Sequence, residues 1–280
     1  MQATIELIRS ELQGLYPDTE IRSFTKLLIS KLTGFSNTEI ILNKNTIFSA
    51  EQRKILDSFI EKLKIHMPIQ YILGKTEFYG LEFIVNQSVL IPRPETEELV
   101  EWILNSVHDN SNLKLLDIGT GSGCIAIGLK NNLTQSQITA FDISEEALLI
   151  AQKNAELNNL KINFEQVDIL KNLNLNEKWD VIVSNPPYIP ENEKIEISQN
   201  VLDFEPHLAL FVPEFDPLVF YKKIADFGKA HLNENGSLFF EIHYTKANQI
   251  IELLKSLGYF EIELRKDIYK NDRMIKAKLA

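Results

Sequence analysis

A four-residue segment, Asn185-Pro186-Pro187-Tyr188, combines groups that could hold and orient a planar amino group. Its asparagine carries a carbonyl acceptor and an NH₂ donor, and its two prolines fix the backbone and present carbonyls without competing N–H donors. The side-chain oxygen of Asn185 and the backbone oxygen of Pro186 could each accept one hydrogen of an NH₂ group, while Tyr188 stacks on its plane. An ordinary Asn-Pro turn is the alternative interpretation.

A glycine-rich turn follows the apolar residues that end at Ile118, with the sequence Gly119-Thr120-Gly121-Ser122-Gly123. Glycines after a strand allow a tight turn and let a ligand approach the backbone, and a helix predicted from Cys124 offers free N–H groups at its start. The third glycine comes too early for a dinucleotide fingerprint, and no Gly-Lys-Ser/Thr follows that would indicate a phosphate loop. A tight turn without a ligand is the alternative.

Two acidic residues are expected at the same edge of the sheet. Asp142 ends the second predicted strand and could accept both hydroxyls of a ribose, because ligands of open α/β sheets bind beyond the carboxyl ends of the strands. Its alternative role is to cap the next helix, although Ser144 is better placed for this. Asp168 ends the third predicted strand and could border the same ligand, or it could simply occupy a turn.

The G-x-G-x-G spacing resembles that of the adenosylmethionine-dependent methyltransferases. An amino nitrogen held by Asn185 and Pro186 would then face the methyl sulfonium of that cofactor, in the geometry for in-line displacement. Catalysis would consist mostly of positioning, and the two acceptors would stabilise the positive charge that develops on the nitrogen. No strong general base is required, because the methylated nitrogen becomes acidic and can lose its proton afterwards.

Strand-like and helical segments alternate from residue 113 onward. Such alternation predicts an α/β fold with a seven-stranded, doubly wound (Rossmann-like) sheet that has helices on both faces. No helix lies between the last two strands, so they should pair antiparallel. The predicted strands span residues 113–118, 138–143, 162–169, 179–184, 237–242, 260–264 and 274–279.

The first part of the chain has a different pattern. Apolar residues recur at helical spacing, which predicts a small N-terminal helical bundle over residues 1–68, and Ser49 with Gln52 predicts the start of one helix. Residues of β type, among them Tyr71 and Ile72, then predict a β-hairpin linker over residues 69–92. Residues 93–280 remain for the catalytic domain.

Charge and composition exclude several classes of protein. The 280 residues carry a formal net charge of −10, and all of it lies in residues 91–280, where 29 acidic residues outnumber 19 basic ones. This argues against bare nucleic acid as a partner, because phosphate binding needs a basic surface. One cysteine, Cys124, and scattered histidines predict no disulfide and no metal site. The lack of a long apolar run predicts a cytoplasmic protein without a membrane partner.

Further segments narrow the resemblance to one family. The pair Asp117–Gly123 and Asn185–Tyr188 is shared by amino-methyltransferases in general, including adenine N6-methyltransferases. Five additional segments resemble the peptide chain release factor glutamine N5-methyltransferases (the HemK-type family). These segments are Pro68-Ile69-Gln70-Tyr71-Ile72-Leu73-Gly74, Ile91-Pro92-Arg93-Pro94-Glu95-Thr96-Glu97, Phe204-Glu205-Pro206-His207-Leu208-Ala209-Leu210, Lys266-Asp267 and Asp272-Arg273.

This resemblance implies that S-adenosyl-L-methionine is the cofactor and that the substrate is the glutamine of a Gly-Gly-Gln loop on a class I release factor. It implies that Asn185, Pro186 and Tyr188 are catalytic and, with Pro187, bind the amide. A monomer is expected, with the N-terminal bundle recognising the folded protein partner. The implied cofactor-binding residues are Arg93, Thr96, Gly119, Thr120, Gly121, Ser122, Gly123, Asp142, Asp168, Ile169 and Asn185.

Two positions depart from the family pattern, and three alternative functions stay open. His243 stands where the family usually has glycine, and Ile169 stands where an aromatic residue sometimes packs on the adenine. An adenine N6-methyltransferase of DNA or RNA would need a basic groove beside Asn185. A glutamine methyltransferase of a ribosomal protein is a close variant of the first reading. A non-catalytic adenosylmethionine-binding module is the third, and the intact Asn185–Tyr188 segment argues against it.

Overall fold

The computed structural model describes residues 1–107, 112–173 and 175–279 of the chain. Its helices are α1 (Gln2–Leu12), α2 (Asp18–Thr33), α3 (Asn37–Leu42), α4 (Ala50–Lys64), α5 (Ile69–Leu73), α6 (Pro94–Ser106), α7 (Cys124–Asn132), α8 (Glu145–Leu157), α9 (Gln199–Phe204), α10 (Val219–His231) and α11 (Ala247–Ser256). Its strands are β1 (Lys75–Phe78), β2 (Leu81–Ile84), β3 (Lys114–Ile118), β4 (Gln137–Asp142), β5 (Asn163–Gln166), β6 (Trp179–Ser184), β7 (Ile189–Pro190), β8 (Phe211–Val212), β9 (Leu232–Glu241), β10 (Tyr259–Lys266) and β11 (Asp272–Leu279).

These elements form two compact units. The first contains Met1–Gly74 together with the later segment Ser198–Phe204, and the second contains Lys75–Ile197 and Glu205–Ala280. The chain therefore passes between the units three times. The domain boundaries predicted at residues 68 and 92, and the function assigned to each part, stay predictions.

The first unit is helical, as its apolar spacing predicts. Residues spaced three or four apart in α1, α2 and α4 pack into one core, including Ile8, Leu28 and Ile60. The predicted helix start at Ser49 is a capping box, in which the Gln52 N–H donates to Ser49 Oγ and the Ser49 N–H donates to Gln52 Oε1.

The prediction of β structure from residue 69 is wrong at its start. Residues 69–73 form helix α5, which follows Pro68 and ends at Gly74 in the left-handed conformation, with a φ of 73°. Ile69 and Ile72 are three residues apart and share one helical face, which is buried in the core of the first unit. Their β-type composition is overridden by this packing, and the hairpin begins only at Lys75.

The second unit is built on the predicted seven-stranded sheet, whose order is β10-β11-β9-β6-β3-β4-β5. The strands from β9 to β5 pair in parallel, and β11 pairs antiparallel with both β9 and β10. This confirms the α/β fold class and the antiparallel last pair. The boundaries differ most at β5, which ends at Gln166 rather than at residue 169, and at β9, which begins at Leu232 rather than at residue 237.

Alternate side chains of the sheet enter two separate cores. Val181 and Val183 pack on one face with α6 and α7, whereas Ile182 packs on the other face with α10 and α11. Phe239 and Phe240 divide between the faces in the same way. This period-two division explains why buried parallel strands are nearly continuous apolar runs in the sequence.

The hairpin of β1 and β2 belongs to the second unit. Tyr79 and Gly80 both have positive φ angles, of 50° and 74°, as a two-residue turn between twisted strands requires. Phe78 and Phe83 from the two strands meet edge to face and are buried in the core beside α6 and α7. A second, unpredicted pairing joins β7 to β8, so the segment after Tyr188 is hydrogen-bonded to the segment that ends at Val212.

Candidate functional site

A cavity of the second unit lies beyond the carboxyl ends of β3, β4 and β6, which are neighbours in the sheet. This is the edge at which open α/β sheets bind ligands. All but two of the residues predicted to bind cofactor or substrate line it. Those that do are Arg93, Thr96, Gly119, Thr120, Gly121, Ser122, Asp142, Asp168, Ile169, Asn185, Pro186 and Pro187; the two that do not are Gly123 and Tyr188.

The glycine turn after β3 needs its glycines for two different reasons. Gly119, Gly121 and Gly123 all have positive φ angles, of 75°, 55° and 83°. A Cβ atom added at Gly119 or Gly121 would meet nothing within 4 Å, so both positions leave the cavity open. A Cβ added at Gly123 would lie 3.1 Å from the Cβ of Ala151 and from Cδ1 of Ile127, so this glycine allows α7 and α8 to pack closely.

Two side chains that the motif analysis left without a role support this turn. Asn154 of α8 is fully buried and donates to the backbone oxygens of Ile84 and Ser122, at 3.0 and 2.9 Å. It thereby ties the hairpin to the turn. Asp117 lies beneath the turn and accepts a hydrogen bond of 2.6 Å from the Thr120 hydroxyl. Burial raises the pKa of Asp117 to about 7, against the opposing effect of that hydrogen bond.

Asp142 is fixed in place at the end of β4. One carboxylate oxygen accepts from the Gly121 N–H at 2.8 Å, and the other accepts from the Ser144 N–H at 2.9 Å. Burial raises the pKa of Asp142, and these backbone donors counteract the rise. A carboxylate has further lone pairs, so Asp142 can still accept from two hydroxyls of a ligand. Ser144 caps α8 through the Ala147 N–H, as its position predicts.

Asp168 and Ile169 lie on the same wall, but Asp168 does not end a strand as predicted. It follows β5 by two residues, and one carboxylate oxygen accepts from the Leu170 N–H at 3.0 Å. A carboxylate that bonds to the backbone two residues later closes a local turn, which competes with continuation of the strand. Lys171 approaches the other oxygen at 3.6 Å, and Ile169 is buried.

The segment Asn185–Tyr188 is anchored at both ends. The Nδ2 group of Asn185 donates to Oγ1 of Thr96 at 3.3 Å, which leaves the Asn185 side-chain oxygen for other partners. Tyr188 donates to Oε1 of Glu241 at 3.4 Å, and its ring meets the ring of His243 edge to face. Tyr188 is therefore directed at the buried side of the loop, and its predicted stacking on a substrate amide stays a prediction.

Glu241 and Glu205 are two buried carboxylates that sequence analysis left without a role. Glu241 ends β9 beside β6 and accepts from the Thr96 hydroxyl at 2.6 Å; the strand-end rule that singled out Asp142 applies to it too. Glu205 accepts from Nη2 of Arg93 at 2.5 Å and from the Ile91 N–H at 3.2 Å. It thereby fixes the Arg93 segment at the wall of the cavity.

The turn at His243 does not need a glycine. Its φ is −68°, which any residue adopts, so the departure from the family pattern causes no backbone strain. The His243 ring stacks on Tyr244, and its Nε2 atom lies 3.4 Å from a carboxylate oxygen of Glu193. These contacts place His243 beside Tyr188 rather than in the cavity.

Neither a metal cluster nor a membrane helix is found within the described ranges. In residues 1–107, 112–173 and 175–279, no group of three or more His, Cys, Asp and Glu side chains could hold a metal ion. The helices of the same ranges are all too short or too polar to cross a membrane. Burial raises the pKa of the Cys124 thiol to about 12, so this side chain stays protonated and is not a nucleophile.

Comparison with known proteins gives consistent results for both parts of the chain. Residues 4–74 match the PrmC N-terminal domain, and residues 96–205 match the methyltransferase small domain. The release factor glutamine methyltransferase of Flavobacterium psychrophilum is 46% identical over 95% of this chain and 94% of its own length. That of Bacteroides thetaiotaomicron is 44% identical over 96% and 97%. A solved methyltransferase from Pyrococcus furiosus, 20% identical, shares the fold with a TM-score of 0.53 over 82% of this chain and 98% of its own.

Proposed function

Since this chain belongs to the family of release factor glutamine methyltransferases, we propose that it methylates the side-chain amide nitrogen (N5) of the glutamine in the Gly-Gly-Gln loop of class I release factors. S-adenosyl-L-methionine is the methyl donor. The observation that carries the proposal is one cavity that is lined by both the glycine turn and residues Asn185–Pro187. One part suits a nucleoside, and the other suits a planar amide.

The residues at the cavity fit S-adenosyl-L-methionine. Gly119 and Gly121 leave the space of a side chain empty, so the methionine portion can approach the backbone there. The carboxylate of Asp142 is held by two backbone N–H groups and faces the cavity, where it can accept from the ribose hydroxyls. Asp168 and Ile169 would border the adenine, and the bound cofactor supplies an electrophilic methyl group.

The chain's own contribution to the reaction is to orient the amide. The side-chain oxygen of Asn185 and the backbone oxygen of Pro186 would each accept one hydrogen of the glutamine NH₂ group, so that its nitrogen faces the methyl group. The bound cofactor would supply the methyl carbon, and its carbon–sulfur bond would break as the oriented nitrogen bonds to that carbon. The two acceptors stabilise the positive charge on the nitrogen, which afterwards releases a proton to water.

The charge around the cavity favours a protein amide over an adenine in nucleic acid. An adenine methyltransferase would need free cations to bind phosphates. Arg93 at the cavity wall is paired with Glu205 at 2.5 Å, and Lys194 beyond Tyr188 is paired with Glu191 at 3.5 Å. The excess of acidic residues in the second half of the chain acts in the same direction.

The decisive experiment compares substrates in one assay. The protein is incubated with labelled S-adenosyl-L-methionine and, separately, a release factor, the same factor with alanine for the loop glutamine, a ribosomal protein, and adenine-containing DNA or RNA. We expect label on the first substrate only. Label on nucleic acid, on a ribosomal protein or on the alanine variant, with none on the intact factor, would overturn the proposal.

A variant of Asn185 tests the mechanism separately. We expect Asn185→Ala to abolish methyl transfer under multiple turnover and to leave only slow residual transfer in a single turnover, while cofactor binding, measured by calorimetry, largely survives. Near-full turnover by this variant would refute the amide-orienting role.

The first unit is proposed to recognise the folded partner. It exposes large apolar side chains at and just after α3, with Leu42 75% and Ile47 79% exposed. We expect Leu42→Glu and Ile47→Glu to impair methylation of a whole release factor more than that of a short Gly-Gly-Gln peptide. Equal effects on both substrates would argue against docking by this surface. A monomeric state and a cytoplasmic location stay predictions, and light scattering of the purified protein tests the first.

A further inference from the structure

Asn185 lies at the end of a series of hydrogen bonds between buried side chains. Its Nδ2 group is 3.3 Å from Oγ1 of Thr96 in α6, and that hydroxyl is 2.6 Å from Oε2 of Glu241 at the end of β9. Thr96 and Glu241 are only 2% and 1% exposed. Buried polar groups that all have partners hold one arrangement, so this series can fix the orientation of Asn185.

The available protons determine which group donates and which accepts in each of these hydrogen bonds. An ionised carboxylate only accepts hydrogen bonds, so the Thr96 hydroxyl has to donate its single proton to Glu241. The Thr96 oxygen then remains as an acceptor, and only the NH₂ end of the Asn185 amide can bond to it. Because the amide group is planar, the side-chain oxygen of Asn185 points away from Thr96 and is available as an acceptor.

The same carboxylate also holds the other end of the loop. Oε1 of Glu241 accepts from the Tyr188 hydroxyl at 3.4 Å. Burial raises the pKa of Tyr188 above its ordinary value, so the phenol keeps the proton that it donates. One side chain from β9 thus determines the position of both Asn185, through Thr96, and Tyr188.

The positive charge of Arg273 stabilises the ionised form of Glu241. Burial raises the pKa of Glu241, and the neighbouring negative charge of Glu95 acts in the same direction, while the positive charge of Arg273 lowers it. Arg273 is held by Asp267, with 3.0 Å between Nε and a carboxylate oxygen, and it donates to the backbone oxygen of Ile242 at 3.4 Å. Asp267 and Arg273, two of the motif residues near the C-terminus, therefore belong to this polar cluster.

We propose that Thr96 and Glu241 are positioning residues that act on the methyl-accepting amide of the substrate through Asn185, by holding the Asn185 side chain so that its oxygen faces the substrate. This inference rests on the proposed function and deepens it. It gives Thr96 a role other than the cofactor contact that the family resemblance implies.

The test uses variants of the full chain that differ in one hydroxyl. Thr96→Val removes the acceptor for Asn185, and Thr96→Ser keeps it. Tyr259→Phe is the matched control, because it removes another buried hydroxyl hydrogen bond of the second unit, from Tyr259 to the backbone oxygen of Ala225. We expect Thr96→Val to lower kcat on a Gly-Gly-Gln peptide by about 10- to 100-fold, since a misplacement of about 1 Å can have that effect. Tyr259→Phe should retain near-normal kcat and cofactor affinity, and Thr96→Ser should recover most of the kcat that Thr96→Val loses.

A double variant separates action through Asn185 from general damage. In single-turnover measurements, Thr96→Val should have no further effect once Asn185 is alanine. A further loss of the size seen in the native background, or a loss confined to cofactor affinity, would overturn the inference.

A measurement without turnover keeps the inference testable if the proposed function fails. If the unaltered protein transfers no methyl group to the factor or peptide, the proposed function is refuted. The side-chain NH₂ resonances of Asn185 then report directly on the hydrogen bond. They should show slowed hydrogen exchange in the native protein and faster exchange in Thr96→Val, and identical exchange in the two proteins would refute the positioning role.

Discussion

Replacement of Arg93 by methionine isolates the energetic contribution of one buried ion pair at the cavity wall. The guanidinium contacts Glu205 at 2.5 Å, and the Glu205 side chain is only 1% exposed whereas that of Arg93 is 34% exposed. Methionine keeps the apolar stem of the arginine and removes the charge. Among the described residues, the buried Glu205 carboxylate would then keep one donor, the Ile91 N–H at 3.2 Å.

The size of the effect follows from the burial of the two partners. Removal of one partner of a fully buried pair costs about 3–5 kcal/mol, because the remaining charge is not solvated. Water reaches the exposed third of Arg93, so we expect a lower cost for Arg93→Met, about 2–3 kcal/mol. For a unit of about 200 residues, this corresponds to a fall of about 5–10 °C in Tm. Glu205→Gln, which leaves the partly exposed arginine hydrated, should cost only about 1 kcal/mol.

Calorimetric unfolding of both single variants and the double variant at pH 7 measures the coupling. We expect the loss in Arg93→Met/Glu205→Gln to be smaller than the sum of the two single losses by about 1–2 kcal/mol, because no charge remains buried without a partner. Strictly additive losses, or an unchanged Tm in Arg93→Met, would show that the pair is not formed as described.

Three further predictions concern the glycine turn and its neighbours. Burial raises the pKa of Asp117 to about 7, so this carboxyl stays protonated in the native state at pH values where it is ionised in the unfolded chain. The native state therefore loses up to about 4 kcal/mol of stability as pH rises from 4 to above 7, and Asp117→Asn should abolish this loss. Equal slopes of the urea midpoint against pH in both proteins would contradict this prediction. Gly123→Ala should lower the free energy of unfolding by about 2 kcal/mol through strain and crowding, whereas Gly119→Ala should mainly raise the Kd for S-adenosyl-L-methionine. A larger loss of stability in Gly119→Ala by urea unfolding, together with a larger rise in Kd in Gly123→Ala by calorimetry, would be inconsistent with the two roles. Asp142→Asn should raise the same Kd about 10- to 100-fold, because hydrogen bonds to a charged acceptor contribute about 1.5–3 kcal/mol, and an unchanged Kd would exclude a ribose contact.

The features that sequence analysis predicted are those that depend on local order. Strand ends are visible as the end of an apolar run, and neighbouring parallel strands end at one edge, so Asp142 and Asn185 could be placed beside the glycine turn. The type and approximate position of the seven strands follow from the same runs. The prediction from local composition was wrong at Ile69–Leu73, where packing in the first unit stabilises a helix instead of a strand.

The pairings that escaped prediction join distant parts of the chain. Thr96 and Glu241 are 145 residues apart, Arg93 and Glu205 are 112 apart, and Ile84 and Asn154 are 70 apart. The spacing of residues within one helix or strand carries no information about such pairings. The hydrogen bond of Tyr188 escaped prediction for the same reason, because its hydroxyl partner lies on a strand that comes much later in the chain.

The order of the last strands in space differs from their order in synthesis. Strand β10 leaves the ribosome before β11, yet β11 lies between β10 and β9. Until residues 272–279 emerge, β9 therefore has an unpaired edge and β10 has no neighbour in the sheet, and both are open to pairing with other chains. Arg273, which supports the charge of Glu241, arrives with the same strand. A nascent chain thus closes its sheet and acquires this cation in one late step of its folding.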